Sequence, residues 1–356
     1  MGLCADFYVT IRGPAPILAE VSDLSTAHMS NEISTPGQWP GLKIGCYRAR
    51  FFADAPVHMG EFPGSAWRGA LGHALKRTAC VTRLPQCRPC ALYQSCVYPY
   101  FYDTPPPPTA QKMRRYETTP HPFILEPGTA GGCSYQLGFK LIGVANRQLA
   151  VFIHALSQAA QGPKGVAGNR LQLEAVEQET YPGSGHWRCI YRPQEALQAL
   201  PQVVPLTPEA PGDLRIELLT PLRVKRDGRH VGPREFRFAD LFGTLLRRIS
   251  MLSFFHTDTP LETDFKGLMA QARAIEAVTA LNWEDKLRYS SRQQVAMKLG
   301  GVIGHIEIRG QDLRPFWRYL WLGQWLHVGS GATMGLGQYR VEGASLPALH
   351  DAGCQA

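Results

Sequence analysis

The feature that most constrains the fold is an order of predicted elements that occurs twice, each time ending in a glycine-spaced segment before a strand. In each half a strand and a helix are followed by a second strand and a second helix. The first copy comprises strand runs 46–52 and 135–142 with helix runs 63–79 and 149–160, and the second comprises strand runs 214–224 and 302–308 with helix runs 238–255 and 315–326. We therefore predict an α+β chain of two tandem ferredoxin-like (RRM-like, βαββαβ) domains. An α+β chain without duplication could produce the same order by coincidence, and that alternative stays open here.

Chain length and proline distribution predict the domain boundary. The 356 residues suit two domains that each bury a core of their own. Prolines recur between 193 and 211, where they interrupt helix and sheet alike. The predicted arrangement is an N-terminal domain at 41–192, a linker at 193–211 and a C-terminal domain at 212–343.

The charge balance favours a polyanionic partner. Lysine and arginine number 37 against 29 acidic residues, which gives a net charge of +8 at pH 7. No apolar run is long enough to cross a bilayer, and the first residues do not resemble a secretory signal. We expect a cytoplasmic protein without a membrane partner.

The second glycine-spaced segment, 329–337, has the composition of a phosphate-binding loop. Its four glycines, Gly329, Gly331, Gly335 and Gly337, permit positive φ values and allow a ligand to approach backbone N–H groups. No Gly-Lys-Ser/Thr follows, and no strand-loop-helix unit surrounds it, so it is neither an NTPase loop nor a dinucleotide fingerprint. Glycine clusters are more often plain turns, so this segment alone does not establish binding.

Four cysteines lie within seventeen residues, at Cys80, Cys87, Cys90 and Cys96. Four thiolates at this spacing can form a tetrahedral shell around one metal ion. Zinc is the default expectation, a 4Fe-4S cluster is the alternative, and a metal-free segment also stays open. Disulfides are not expected in a reducing compartment.

The helix predicted before these cysteines has two different faces. Trp67 and Leu71 belong to a face that would pack on a sheet, whereas the opposite face carries Gly69, Gly72, His73 and Lys76. Glycine inside a helix costs roughly 1 kcal/mol relative to alanine, so a close approach is expected on that side. A nucleic-acid backbone passing there would contact His73 and Lys76. A single histidine is more often structural or simply exposed.

Several segments together resemble a known family. They are Trp-Glu-Asp-Lys-Leu-Arg-Tyr-Ser-Ser-Arg-Gln at 283–293, Leu-Gly-Gly-Val-Ile-Gly at 299–304, the loop and strand at 327–341, and Pro-Gly-Ser-Ala-Trp-Arg-Gly-Ala-Leu-Gly at 63–72. The chain resembles the CRISPR-associated precursor-RNA processing endoribonucleases of the RAMP (repeat-associated mysterious protein) superfamily, in the branch with a four-cysteine insertion. The resemblance extends over about residues 45 to 342.

The resemblance implies tandem ferredoxin-like domains, a positively charged cleft for CRISPR repeat RNA and a metal-independent reaction. The 2′-hydroxyl attacks the adjacent phosphate and leaves a 2′,3′-cyclic phosphate and a 5′-hydroxyl, so that precursor RNA becomes mature crRNA for antiviral defence. This chemistry needs a base, an acid and a cation, which histidine with lysine or arginine can supply near neutral pH.

The resemblance also assigns candidate residues. His73 is the predicted acid or base, with Lys76 and Arg68 stabilising phosphate charge, and His58 is the second choice for the histidine role. The loop departs from its relatives because Ser330 stands where they often have lysine or arginine. The candidates for RNA binding are Gly329, Ser330, Gly331, Gly335, Gly337, Arg288 and Arg292.

Other interpretations remain at this stage. Arg288 and Arg292 flank Tyr289 and could bind phosphate and stack a base, or they could form a salt-bridged structural motif. The chain could be a non-catalytic RNA-binding subunit of a CRISPR effector complex, using the same loop without His73. It could also be a metal-stabilised scaffold that binds protein. Expected partners are precursor crRNA and other CRISPR effector subunits.

Overall fold

The computed structural model describes residues 39, 41–104, 119–290 and 295–343, and these residues form two antiparallel sheets with helices packed on them. The side chains of residues 129, 287–290 and 295–297 are outside this description. None of the helices in the described ranges combines the length and the apolar character needed to cross a membrane.

The first module is built around a five-stranded sheet. Its strand order is β2-β3-β1-β4-β5, with every neighbouring pair antiparallel. The elements are β1 (Ile44–Phe52), α1 (Pro63–Ala79), α2 (Val97–Tyr102), β2 (Phe123–Gly131), β3 (Ser134–Ile142), α3 (Leu149–Gln161), β4 (Gln172–Glu179) and β5 (Trp187–Tyr191). The short 3-10 helix Gly143–Gln148 leads into α3.

The second module repeats the arrangement with a four-stranded sheet in the order β11-β6-β10-β9. A two-stranded hairpin, β7 with β8, precedes its first long helix. The elements are β6 (Leu214–Leu222), β7 (Lys225–Arg226), β8 (Arg229–His230), α4 (Phe238–His256), α5 (Phe265–Ala274), β9 (Val278–Ser290), β10 (Val295–Ile308), α6 (Arg314–Leu326) and β11 (Tyr339–Glu342).

Both sheets have the ferredoxin-like strand order. In each module the first strand lies between the third and the fourth, and the second strand lies beside the third. The predicted α+β class with tandem ferredoxin-like units is confirmed. The first sheet adds β5 at its edge, which the repeated pattern did not include.

The cores follow from side-chain periodicity. On α1 the buried side chains Trp67, Leu71, Ala74 and Leu75 recur at helical spacing, so one face of the helix packs on the sheet. On β3 the buried residues alternate from Ser134 to Phe139, as the two-residue period of a strand requires, and the end of the strand is buried on both faces. Each module thereby buries an extensive apolar cluster.

The connecting segment 193–211 packs against both modules. Val203 pairs through its backbone with Ile44 at the start of β1. The indole nitrogens of Trp317 and Trp321 on α6 donate to the carbonyl oxygens of Pro208 and Leu206 at 2.6 and 2.7 Å. Both tryptophans are buried, and they anchor this segment.

Candidate nucleic-acid interface

The glycine loop, residues 329–337, connects α6 to β11 and reaches the surface at one end. Ser330 is exposed, whereas Gly335 and Gly337 are buried. Gly331 and Gly335 both have left-handed φ values, near +88° and +90°, and bracket a single 3-10 turn, Ala332–Met334. Only the front of the loop and Thr333 are therefore placed to contact a ligand.

Several loop amides are already bonded inside the protein. Ser330 N–H donates to the Arg223 carbonyl, Gly335 N–H to the Ala332 carbonyl, and Gly337 N–H to the Pro221 carbonyl, at 2.9 to 3.1 Å. These bonds give Gly335 and Gly337 a packing role. The RNA-binding role of the loop glycines stays a prediction, and it concerns mainly the exposed front, Gly329 to Gly331.

The loop lies directly against the predicted catalytic helix. A Cβ added to Gly64 in the first turn of α1 would lie 1.9 Å from the Met334 carbonyl oxygen, so only glycine permits this approach. One turn further along, Arg68 Nε donates to Thr333 Oγ1 at 3.1 Å. Helix and loop form one continuous surface that carries Arg68.

The other predicted catalytic residues on α1 are placed differently. His73 is exposed, five residues beyond Arg68, which corresponds to about 7.5 Å along the helix axis. Lys76 is turned toward the cysteine segment, where its Nζ donates to the Pro85 carbonyl at 3.2 Å and lies 5.8 Å from the centre of the Tyr98 ring. The structure thus brings Arg68, but not Lys76, to the glycine loop.

Two further expectations concern the surroundings of α1. The close approach at Gly72 is made by the Tyr102 ring, 2.8 Å from an added Cβ, so the protein itself fills the space where a nucleic-acid backbone was expected. Gly69 remains open on the solvent side. His58 bonds through its backbone to Asn169, near the first glycine-spaced segment, so it lies with that segment.

A basic pocket adjoins the front of the loop. Gly329 and Ser330 line a cavity of about 460 Å³ together with the side chains of Arg223, Lys225 and Arg247. Its single acidic lining residue, Asp240, is bonded to Arg226 on β7. Sequence reasoning missed these residues, although the basic run at 223–230 was a usable signal.

A second group of cationic and imidazole side chains lies around His121, next to Arg68. Arg68 Nη2 lies 3.4 Å from His121 Nε2, and Thr104 Oγ1 lies 2.8 Å from His121 Nδ1. Arg248 on α4 donates from Nε to the Leu326 carbonyl at 2.7 Å, while its Nη2 is shielded from solvent and has no partner among the described residues. We call Arg68, His121 and Arg248 the open cluster.

The electrostatics of the open cluster keep its histidine neutral. Burial, and then the positive charges of Arg68 and Arg248 with a contribution from His256, lower the pKa of His121 to about 3. Burial also lowers the pKa of Arg248, to about 10. No carboxylate in the described ranges lies within 4.0 Å of Arg68 or Arg248. The cluster is thus rich in positive charge without an acidic counterpart in the described part of the chain.

A third group, the closed cluster, joins the two modules at the base of the loop. Glu126 on β2 accepts from His327 Nε2 at 2.9 Å, from Gln338 Nε2 at 3.0 Å, and from the Lys140 ammonium. Burial alone would raise the pKa of Glu126, but Lys140 and His327 lower it to about 2. Burial lowers the pKa of His327. The carboxylate is ionised and fully engaged.

The groove between the two sheets has about 490 Å³ of space and is lined by both modules. Its basic side chains are paired: Arg48 contacts Glu177, Lys140 contacts Glu126, and Arg340 contacts Glu217. Arg48 also lies over the Trp187 ring at 4.4 Å. By contrast, Arg223 and Lys225 of the basic pocket meet no carboxylate within 4.0 Å in the described part of the chain.

The structure describes the two arginines of the 283–293 motif to different extents. Arg288 lies on β9, where its backbone pairs with Met297 of β10, and its side chain is outside the described atoms. Arg292 lies outside the described residues. Their predicted contact with RNA stays a prediction.

The four clustered cysteines follow α1 and line one small cavity. Cys80, Cys87, Cys90 and Cys96 surround about 20 Å³ of space, and all four are free thiols. The hydroxyl of Thr82 lies 3.5 Å from Cys90 Sγ and lowers the pKa of that thiol. The donor set suits zinc or an iron–sulfur cluster. As the side chains stand, however, no three His, Cys, Asp or Glu groups in the described ranges are arranged to hold a metal ion.

Comparison with protein families divides the chain into two matched parts. Residues 216–339 match the family model of CRISPR-associated endoribonuclease Cas6. Residues 42–203 match the model AF_1859_N, described as an N-terminal domain. No curated protein matches the chain in sequence.

Solved structures show the same fold at low sequence identity. A Cas6 product complex, with the Thermus thermophilus protein, is 16% identical with a TM-score of 0.50, and the match covers 84% of this chain and 99% of that chain. A partial Cas6-RT-Cas1–Cas2 complex is 14% identical with a TM-score of 0.51, covering 86% of this chain and 48% of the longer chain. At these identities the similarity establishes the fold.

Proposed function

We propose that this chain, whose residues 216–339 form a domain of the CRISPR-associated endoribonuclease Cas6 family, cleaves CRISPR precursor RNA within its repeats to give mature crRNA for antiviral defence. The observation that carries the proposal is the contact between Arg68 and Thr333 at 3.1 Å. It places a cationic side chain of α1 on the glycine loop of the Cas6-family domain. A phosphate lying over the loop would be within reach of both.

The proposed reaction is a metal-independent transesterification. A base removes the proton of the 2′-hydroxyl, the 2′-oxygen bonds to the adjacent phosphorus, and the bond from phosphorus to the 5′-oxygen breaks. The leaving 5′-oxygen takes up a proton, so the products carry a 2′,3′-cyclic phosphate and a 5′-hydroxyl. His73 is proposed as acid or base and Arg68 as the cation that stabilises the phosphorane. Lys76 would join them only after leaving the Pro85 carbonyl.

The basic pocket beside Ser330 supports a path for the RNA strand. Arg223, Lys225 and Arg247 surround the loop position where relatives often have a basic residue. They can supply from neighbouring elements the positive charge that Ser330 does not. The strand would pass from this pocket over the front of the loop to Arg68, with phosphate contacts that position it.

Cleavage of synthetic repeat RNA in the presence of EDTA tests the proposal. We expect one cut within the repeat, product ends of the type described above, and no cut when the upstream nucleotide is 2′-deoxy. A product with a 5′-phosphate, or cleavage that stops in EDTA, would contradict the mechanism. The Arg68→Ala variant is expected to lose about 10²-fold or more in rate, by analogy with the loss of one transition-state donor.

A non-catalytic RNA-binding subunit is the second candidate. The position of Lys76 favours this candidate, because Lys76 lies against the cysteine segment and does not converge with His73 and Arg68 on one point. In that case the protein would retard repeat RNA on a native gel without cutting it, whatever the upstream sugar. A protein scaffold would neither retard nor cut the RNA.

The cysteine segment is proposed to hold a structural zinc ion. Cys80, Cys87, Cys90 and Cys96 would be its ligands after a rearrangement of their side chains around the shared cavity, and the ion would take no part in the reaction. Elemental analysis should find about one zinc per chain. An absorption spectrum of protein purified without oxygen would reveal the iron–sulfur alternative.

A further inference from the structure

The open cluster has the features of an anion site, and two of its members, His121 and Arg248, have no part in the proposed function. It contains two guanidinium groups and a neutral imidazole, and none of them meets a described carboxylate within 4.0 Å. In addition, Nη2 of Arg248 is buried and has no hydrogen-bond partner among the described residues. A buried donor without a partner is costly in a protein used only for its stability, so a bound acceptor is the natural explanation for its retention.

Hydrogen bonds fix which nitrogen of His121 carries the proton. Thr104 Oγ1 donates to the Tyr100 carbonyl at 3.0 Å, so it accepts from His121 Nδ1–H at 2.8 Å. Nε2 is then the unprotonated nitrogen, and Arg68 Nη2 faces it at 3.4 Å. That contact is long for a hydrogen bond, so a substrate hydroxyl can take its place at Nε2.

The residues of the cluster are not sealed inside the protein. Arg68, His121, Arg248 and Thr333 are each half-buried rather than enclosed. Arg68 also touches Thr333, so an anion held by Arg68 lies near Thr333 of the glycine loop. Arg248 is held by the hydrogen bond that its Nε donates to the Leu326 carbonyl at the end of α6, and its charge acts on His121.

We propose that Arg68 and Arg248 hold the scissile phosphate and that His121 Nε2 accepts the proton of the attacking 2′-hydroxyl. This inference rests on the proposed function and deepens it, because it makes His121 the base and leaves His73 as the acid. The proton of the 2′-hydroxyl moves to His121, the bond from the 2′-oxygen to phosphorus forms, and the bond to the 5′-oxygen breaks. The departing 5′-oxygen takes its proton from His73.

The groups facing His121 are consistent with this role. Arg68 approaches from α1, Thr104 follows α2, and Arg248 and His256 approach from α4. His256 is itself engaged, with Nε2 2.8 Å from the Pro120 carbonyl and Nδ1 3.1 Å from the Tyr100 hydroxyl. A phosphate between the two arginines would offset their charge, so binding should make His121 more basic.

The first test measures single-turnover cleavage of repeat RNA by the full chain and by His121→Gln. We expect the rate to fall about 10²-fold or more, as for loss of a general base, with unchanged affinity for 2′-deoxy RNA. His154→Gln, an exposed histidine on α3, is the matched control and should cut like the parent. If His121→Gln also cuts like the parent, the assignment of the base is overturned.

The second test does not depend on cleavage. Inorganic phosphate is titrated into the full chain while the histidine side-chain signals are followed by NMR spectroscopy. We expect one signal, absent in His121→Gln, to move with phosphate, and this response to weaken in Arg248→Met. Arg248→Lys, which keeps a buried charge, should retain part of it and serves if the methionine variant does not fold.

The combined outcomes separate the two proposals. A parent that does not cut RNA but shows the phosphate response of His121 overturns the proposed function and supports the anion site. A parent that cuts RNA while phosphate leaves His121 unchanged overturns the anion site and supports the proposed function. Loss of both results overturns both.

Discussion

The open and closed clusters differ in how their charges are neutralised, although both lie beside the glycine loop. In the closed cluster, one carboxylate of the first module accepts hydrogen bonds from His327 and Gln338 of the second module and from Lys140. In the open cluster, Arg68 and Arg248 meet no described carboxylate within 4.0 Å. A fully engaged group stabilises a joint, whereas uncompensated positive charge beside a surface is a place for an anion to bind.

The largest loss of stability is expected when the carboxylate of the closed cluster is removed. Glu126→Gln leaves Lys140 as an uncompensated buried charge, and such losses typically cost about 3–5 kcal/mol. Urea unfolding measures the change. Arg248→Met in the open cluster removes a charge without an ion-pair partner and should cost clearly less, and equal losses for the two variants would remove the distinction between the clusters.

The second largest effect is expected from acid, which should lower the stability of the fold through His121 of the open cluster and the neighbouring His256. The folded-state pKa values of His121 and His256 are lowered to about 3 and about 4, below the ordinary value of 6.5. As pH falls, the unfolded chain therefore takes up protons before the folded chain does. The contribution of these histidines to the free energy of unfolding is fully present above about pH 6.5. Below that pH it falls, by at most about 1.4 kcal/mol per pH unit for each histidine.

Unfolding measured between pH 7 and pH 4.5 checks the sign and the source of this effect. His121→Gln should flatten the pH dependence, because one of the suppressed protonations is removed. His154→Gln, on the exposed face of α3, should leave the slope unchanged. Stability that rises as the pH is lowered would contradict the neutral state assigned to His121.

The contact between helix and loop gives a smaller effect with a close control. Gly64→Ala places a methyl group 1.9 Å from the Met334 carbonyl oxygen and should cost about 1–3 kcal/mol, with slower RNA cleavage as the loop moves from Arg68. Gly69→Ala, on the same helix, has no atom within 4 Å of the new methyl group. It should stabilise the helix by up to about 1 kcal/mol. Thermal unfolding of both variants would show opposite signs.

The smallest expected effect concerns the basic pocket. Lys225→Ala should weaken binding of uncleavable RNA. The slope of the logarithm of the binding constant against the logarithm of the salt concentration should become less negative by about 0.7, as expected for one lost phosphate contact on a single strand. Lys266→Ala, an exposed lysine on α5, is the control. An unchanged salt dependence for Lys225→Ala would place the RNA elsewhere.

The fold could largely be predicted because its periodic elements were strong. The run 63–79 matches α1 residue for residue, and the strand and helix order of both halves was confirmed. The sequence concealed β2, where Pro127 and Gly128 resemble a turn, and β9, whose charged residues lack a clear apolar alternation. Both strands are stabilised by pairing with a distant partner, which local sequence does not encode.

The candidate site was less accessible to sequence reasoning because it combines distant parts of the chain. Arg68 and Thr333 are separated by 265 positions, and His121 precedes a strand that was not predicted. Glycine composition identified the loop, but it did not indicate which amides were already bonded. The expected approach at Gly72 was wrong in its partner, since Tyr102 fills that space.

The two indole anchors on α6 carry a consequence for how a nucleic acid is recognised. Trp317 and Trp321 hold the connecting segment, while Val203 of that segment pairs with the first strand of the other module. The connecting segment is therefore attached to both modules and does not act as a free hinge. If the chain binds RNA as proposed, the RNA must bend to fit a preformed protein surface, and the cost of ordering falls mainly on the RNA.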